Sequence, residues 1–356
     1  MITKKRLAGM AFAVILMISV IYYGLIFDRT REYAGEEFLM DTLVSIKTYG
    51  NDAEHLKQVT GQAFAEMRRI EDLTDRFAEP GTPEYADSDV CRINEQAGKT
   101  PVAVSEDVFA ILELSQKYFA LTKGAFDITI GPVIDVWGFG KPDQQVPGEE
   151  MLKNALVLVN NNDMVLDKQH RTVFLKKTGM AIDLGGIAKG YATQRAADIL
   201  KQDGISGALI NAGGNIRVLG RKAKKTPWRI GIQDPRDSSR LLGSVELDEE
   251  SCVTSGDYHR YFMSGQTRYH HIISPYSGYP AGENMSVTVI TKDAAVADIL
   301  STALFILSPQ DALMLAEELE DTEALLVTAA KQILHTGGLK NKVEVREKEA
   351  YHYDKS

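Results

Sequence analysis

Four stretches of this 356-residue chain hold side chains whose types and spacing can do chemistry. In residues 180–200, MAIDLGGIAKGYATQRAADIL, an apolar strand is expected to end at Asp183 and a helical pattern begins after Gly185 and Gly186. Glycines let the backbone approach a ligand closely, and the unpaired N–H groups that open a helix can take an anion. Lys189 adds a point charge one turn in, and Asp183 stands at the strand end, where α/β units commonly place their chemistry. The same Gly-Gly sequence also serves as plain turn chemistry, so this stretch alone leaves both readings open.

In residues 297–305, ADILSTALF, Asp298 and Thr302 are four apart on an expected helix and share one face. A carboxylate and a hydroxyl at that spacing can hold one hard cation such as Mg²⁺, with water, phosphate oxygen or a backbone carbonyl completing the shell. Thr302 can instead bond back to the carbonyl of Asp298. An unpaired carboxylate buried in an apolar helix is costly, and a cation partner would account for it. Residues 252–280 gather Thr254, Ser255, Asp257, His259, Arg260, His270 and His271, including three of the seven histidines. Alternation along a strand puts His270 and His271 on opposite sides, so at most one looks into a site. His271, just before a turn at Pro275 and Gly278, is placed to act as a base, although a histidine between strands is also a common core residue. Residues 124–140, GAFDITIGPVIDVWGFG, set glycines beside Phe126, Trp137 and Phe139, which suits a flat ring between aromatic walls and equally suits a core.

The elements that must position these groups follow from periodicity. A strand is expected over 38–49, then a helix capped by Asn51 with Leu56, Val59, Phe64, Met67 and Ile70 on its apolar face. A long polar loop over 72–94 reads as a ligand-binding connection. Ser105 opens a second helix that stops at Gly124. Short strands are expected at 164–166 and 173–175, a helix from the central turn to about Asp203, a hairpin or a close backbone approach where 208–211 and 216–219 flank Ala-Gly-Gly-Asn, and strands at 228–233, 286–291 and 324–327. A helix starts at Ser308-Pro309 and runs to Leu319. Strands and helices without strict βαβ alternation predict an α+β domain over 37–345 in place of a doubly wound sheet, followed by a polar tail over 346–356.

A net charge of −9 with 40 dispersed basic residues argues against a nucleic-acid partner. Cys91 and Cys252 lack a CxxC spacing, which argues against a zinc site or a disulfide-stapled fold and leaves their own pairing open. Lys4, Lys5 and Arg6 precede an uncharged apolar run over 7–27, matching the ~20 residues that cross a bilayer. An uncleaved anchor over 1–28 and a linker over 29–36 are expected, and the basic flank puts the rest of the chain on the outer face of the cell membrane as a single-pass protein. A cleavable signal peptide is the rival reading, with a shorter apolar run and a small-residue cleavage site.

Taken in order, MDT at 40–42, the 89–94 segment, GAFDITIGPVIDVWGFG, IDLGGIAKGYA, NAGGN, TSGDYHRYF, YHHIISPYSGYP and ADILSTALF resemble the ApbE-type FAD:protein FMN transferase family. The likeness covers nearly the whole chain after the apolar run. It implies a single T-fold-like flavin transferase domain, FAD as substrate, Mg²⁺ as cofactor, and passage of FMN through a phosphoester bond to a Ser or Thr of an acceptor protein, releasing AMP. Carried over residue by residue, it implies Gly186 (through its carbonyl), Asp298 and Thr302 as metal ligands. Met40, Phe77, Asn94, Ala125, Phe126, Asp127, Asp183, Lys189 and Ile272 become flavin and nucleotide contacts. His271 becomes the base, with Lys189 and Asp183 beside it in the catalytic group. The implied partner is a separate flavin-acceptor protein, a subunit of a membrane redox complex or an extracytoplasmic flavoprotein. Two departures stand out: Ser274 replaces an aspartate common in the family, and no cysteine precedes Cys91, so a lipid tether would have to give way to the apolar helix. The alternatives are a Mg²⁺-dependent FAD pyrophosphatase, with water in place of the acceptor hydroxyl, and a surface protein that binds FAD without chemistry.

Overall fold

The computed structural model describes residues 14–17, 19, 30–222, 226–340, 342–346 and 350–353. Its first element is a hairpin of β1 (Arg31–Leu39) and β2 (Thr42–Gly50), which reverses at Met40 and Asp41, both left-handed with φ of 52° and 58°. The single strand expected over 38–49 is therefore two strands, and most of the expected 29–36 linker is strand. No Asn-Gly or Gly-Gly pair marks the reversal, which is why patterning passed over it. The turn is tied down instead by Glu71, whose carboxylate accepts from the Met40 N–H at 2.6 Å.

Helix α1 (Ala53–Thr74) buries Leu56, Val59, Phe64, Met67 and Ile70 along one stripe, as its period requires. Its cap is Asp52, not Asn51: the Asp52 side chain accepts from the N–H groups of Glu54 and His55. The expected 72–94 loop is largely helical, with α2 (Pro83–Asp87) and α3 (Asp89–Glu95) capped by Thr82 and Ser88. Helices of one or two turns are too short to announce themselves by periodicity. Next come β3 (Val102–Ala103), α4 (Glu106–Leu121) capped by Ser105, α5 (Gly131–Trp137) and α6 (Glu149–Leu156). Then follow β4 (Met164–Asp167), β5 (Thr172–Leu175), α7 (Ala188–Gln202), β6 (Gly207–Ala212) and β7 (Asn215–Gly220). The remainder holds β8 (Trp228–Gln233), β9 (Leu241–Leu247), β10 (Ser251–Gly256), β11 (Tyr261–Ser264), β12 (Thr267–His270) and β13 (Asn284–Thr291). Helices α8 (Ala294–Ile306) and α9 (Pro309–Glu318) precede β14 (Glu323–Thr328), β15 (Gln332–His335), β16 (Val343–Val345) and β17 (His352–Tyr353).

The main sheet runs β1-β2-β6-β7-β10-β13-β14-β15-β17 and is antiparallel except for the last pair, a mixed α/β architecture without a doubly wound order. Helices α1, α7 and α8 pack on one face, and the β16-β9-β8 sheet covers the other through Tyr49, Trp228, Ile230 and Val327. Covered on both sides, β13 is buried along its whole length. Among the described residues no helix is long and apolar enough to cross a membrane. The apolar run over 7–27 lies, apart from residues 14–17 and 19, outside the described residues.

The strand expected to end at Asp183 is only one bridge, Ile130 to Ala181. Side chains do the work of the missing ladder. Asn94 accepts from the Ile182 N–H at 2.7 Å and donates to its carbonyl at 3.1 Å, while the Asp183 N–H reaches the Ile128 carbonyl at 2.7 Å. After this turn α7 crosses α8 at Gly190, where an added Cβ would stand 2.3 Å from the Ala294 carbonyl oxygen and 2.6 Å from the Asp298 Cβ. Gly190→Ala gains helix propensity but overpacks against backbone, so unfolding in urea is expected to show a net loss of about 1–3 kcal/mol.

Candidate active site

The close crossing at Gly190 brings its N–H within 2.8 Å of Asp298 Oδ2. Asp298 thereby caps α7 from the neighbouring helix, where the helix dipole favours a carboxylate. The anion at this helix start is a side chain of the protein itself. The Gly185 N–H is likewise occupied, donating to Asp183 Oδ1 at 2.8 Å, and the Ala188 N–H is on the Leu184 carbonyl. Part of the turn's N–H set is thus spent inside the protein, on Asp183, the Leu184 carbonyl and Asp298. The Lys189 ammonium sits 3.2 Å from the Gly185 carbonyl oxygen.

Thr302 does not bond back along its helix. The Ser301 hydroxyl takes the Asp298 carbonyl at 2.9 Å, and a methyl built on Gly186 would lie 3.5 Å from Thr302 Oγ1. Gly186, Asp298 and Thr302 are therefore drawn to one helix junction. Among the described residues no Lys, Arg or His pairs with Asp298, and no cluster of three or more His, Cys, Asp or Glu side chains could hold a metal.

His270 and His271 divide, although β12 ends at His270 and His271 stands in the bend beyond it. His270 is buried and spends both ring nitrogens, Nε2 on the Ala281 carbonyl at 2.8 Å and Nδ1 accepting from the Ile272 N–H at 3.3 Å. His271 Nδ1 lies 3.2 Å from the Arg260 carbonyl oxygen, which can only accept. The proton is therefore on Nδ1, and Nε2 keeps an open lone pair. Burial, then the charges of Arg260 and Lys189, push this imidazole down to about 3. After it, the Ser274 hydroxyl accepts from the Tyr276 N–H within the turn.

The other expected contacts are placed unevenly. Ala125, Phe126 and Ile272 are buried, and the Phe126 ring backs onto Gly186. Asp127 is buried with its carboxylate on the Thr129 N–H and hydroxyl, and burial raises its pKa. Met40 lies on the hairpin turn, whose Asp41 is 3.7 Å from Arg260. Phe77 is exposed. Trp137 is wholly core, donating to the Gly278 carbonyl at 2.7 Å and stacking on Phe139, so the aromatic-wall reading of that residue gives way to packing.

One charged residue escaped sequence reasoning. Arg76, on the chain just past α1, binds Asp183 Oδ2 at 2.9 Å and Asp135 Oδ2 at 2.8 Å from a side chain only 8% exposed. Asp183 and Arg76 are 107 positions apart, beyond any local pattern; the sole cue was a cation beside Phe77 at a helix end.

The His271 shift predicts an acid limb in stability. Its folded pKa of about 3 lies below the unfolded ~6.5, so its contribution is intact above ~6.5 and lost as pH falls toward 3. His271→Gln should flatten the loss of stability between pH 6 and 4, as read by denaturant unfolding at each pH.

Residues 40–326 match the model of the ApbE family. An FAD:protein FMN transferase of Klebsiella pneumoniae is 36% identical over 306 residues, covering 85% of this chain and 92% of that protein. One from Treponema pallidum is 30% identical over 332 residues, covering 89% and 90%. The crystal structure of the ApbE protein of Thermotoga maritima superposes with a TM-score of 0.80 at 32% identity, covering 89% of this chain and 100% of that one. For the flavin transferase ApbE of Vibrio cholerae the TM-score is 0.76 at 27% identity, with 88% and 99% covered. The shared architecture and the matched length together place this chain in the ApbE family.

Proposed function

We propose that the site transfers FMN from FAD to a Ser or Thr hydroxyl of an acceptor protein, in a Mg²⁺-dependent reaction. The chain is a flavin transferase, as its relatives are. The observation that carries the mechanism is the meeting of Lys189, Gly186, Asp298 and Thr302 at one helix junction, with His271 neutral and its Nε2 lone pair open.

The donors fit a hard divalent cation. Asp298 is 5% exposed, has one oxygen committed to Gly190 and lacks a cationic side chain among the described residues. The Thr302 hydroxyl stands beside Gly186, so a carboxylate, a hydroxyl and a carbonyl are available together, all oxygen. Mg²⁺ held there would supply Lewis-acid stabilisation of phosphoryl oxygen. Lys189 would bear on the diphosphate as a second positive charge and, together with the closed turn, orient it.

In the transfer, the acceptor oxygen forms a bond to the flavin-side phosphorus while the bond from that phosphorus to the bridging oxygen breaks, and AMP departs with that oxygen. His271 Nε2 takes the hydroxyl proton. A base pushed down to about 3, first by burial and then by the charges of Arg260 and Lys189, is weak, but a bound diphosphate opposes those two charges and so raises its affinity for a proton. A T-fold-like description of the domain, an N-terminal single-pass anchor with the site outside the cell membrane, and an acceptor in a membrane redox complex or extracytoplasmic flavoprotein belong to this proposal. They draw on the apolar N-terminal run and on the family's habits.

Asp298→Ala is expected to abolish transfer and weaken Mg²⁺-dependent FAD binding; unchanged transfer at limiting Mg²⁺ would refute the metal assignment. His271→Ala should still bind FAD but lose about 10²–10⁴-fold in transfer rate. Mass spectrometry of candidate acceptor subunits mixed with chain, FAD and Mg²⁺ reads the product. An FMN adduct on Ser or Thr supports transfer, and free FMN alone would make the chain a pyrophosphatase.

A further inference from the structure

We infer that Arg76 is a positioning residue for the diphosphate turn: it holds Asp183 closed onto Gly185 and keeps that carboxylate from taking Lys189. This rests on the FAD-binding reading above.

Three contacts form a chain. The Arg76 guanidinium binds one oxygen of Asp183 at 2.9 Å, the other oxygen of Asp183 takes the Gly185 N–H at 2.8 Å, and the Gly185 carbonyl takes the Lys189 ammonium at 3.2 Å. Arg76 also reaches Asp135 at 2.8 Å and lies over the Phe77 ring at 5.1 Å. The planar fork is therefore fixed on two carboxylates and backed by an aromatic face, an arrangement lysine cannot copy. Arg76 is the only cation paired with Asp183 among the described residues.

Remove the guanidinium, and a carboxylate stands unpaired at the mouth of a site meant for a diphosphate. The nearest positive group along the turn is Lys189, already on the carbonyl two residues from Asp183. Asp183 would compete with the diphosphate for that ammonium and repel the ligand directly. The damage is then to binding more than to the chemical step, and it comes from the charge of Asp183, so once Asp183 is neutralised the loss of Arg76 should cost little further affinity. A merely structural role for Arg76 predicts neither the split nor that dependence on Asp183.

The test compares the wild-type chain with Arg76→Gln, Arg76→Lys, Asp183→Asn and the double variant Arg76→Gln/Asp183→Asn; the Asp183→Asn variant carries any loss from a contact of Asp183 itself with FAD. Asparagine can still accept from the Gly185 N–H. FAD affinity is read by flavin fluorescence with Mg²⁺ present, and KM and kcat by transfer to an acceptor. Arg76→Gln should raise both Kd and KM for FAD about tenfold or more, with kcat changed by less than about threefold. Arg76→Lys should fall between, and the double variant should bind FAD within about threefold of Asp183→Asn. Wild-type Kd in Arg76→Gln, or a double variant weaker than Asp183→Asn by the same factor that separates Arg76→Gln from wild type, overturns the inference. A wild-type chain that binds FAD but transfers to no acceptor would sink the transferase reading, while the Kd comparison still decides the role of Arg76.

Discussion

The site depends on one close approach, the crossing of α7 and α8 at Gly190. With no side chain between them, the helices come near enough for a carboxylate on one to cap the other. That contact fixes where the start of α7 points, and with it Lys189 and the Gly185–Gly186 turn. It also sets Thr302, one turn beyond Asp298, against Gly186. A methyl at the crossing would collide with backbone, which cannot turn aside as a flexible side chain can.

Around the crossing, polar side chains replace regular structure. The segment leading into the turn has no strand ladder, yet Asn94 bonds both backbone groups of Ile182, and Arg76 and Gly185 share the carboxylate of Asp183. Each bond is modest alone, but together they hold a loop to the precision of a strand while leaving its edge open. The strained Met40–Asp41 turn is held in the same way, by Glu71. Backbone strain of this kind persists where the surroundings over-determine it.

The charges are arranged for an anionic visitor. Burial, and after it the charges of Arg260 and Lys189, keep His271 neutral. In the proposed transfer, a bound anion would relieve the part of that pressure that comes from the two cations, and so link ligand binding to the basicity of His271. The neighbouring His270, with both nitrogens bonded inside the core, shows how differently two adjacent residues of one type are used.

The sequence alone determined which elements exist where a repeat of 3.6 or 2 runs long enough to be read. That covers the stripe of α1, the capped α4, the β6–β7 hairpin and the buried β13. It also singled out Asp298 and Thr302, because a carboxylate in an apolar helix is chemically out of place, and it split the paired histidines. It missed the Met40 reversal, the short α2 and α3, and the absence of a strand before Asp183, since each is held by side chains distant in the chain. Only the tertiary structure decided that the helix start at α7 was already occupied by Asp298, that Trp137 was core, and that Arg76 faced Asp183. Local patterning is set by neighbours within a turn or a strand, whereas which charge meets which is set by packing between elements a hundred residues apart.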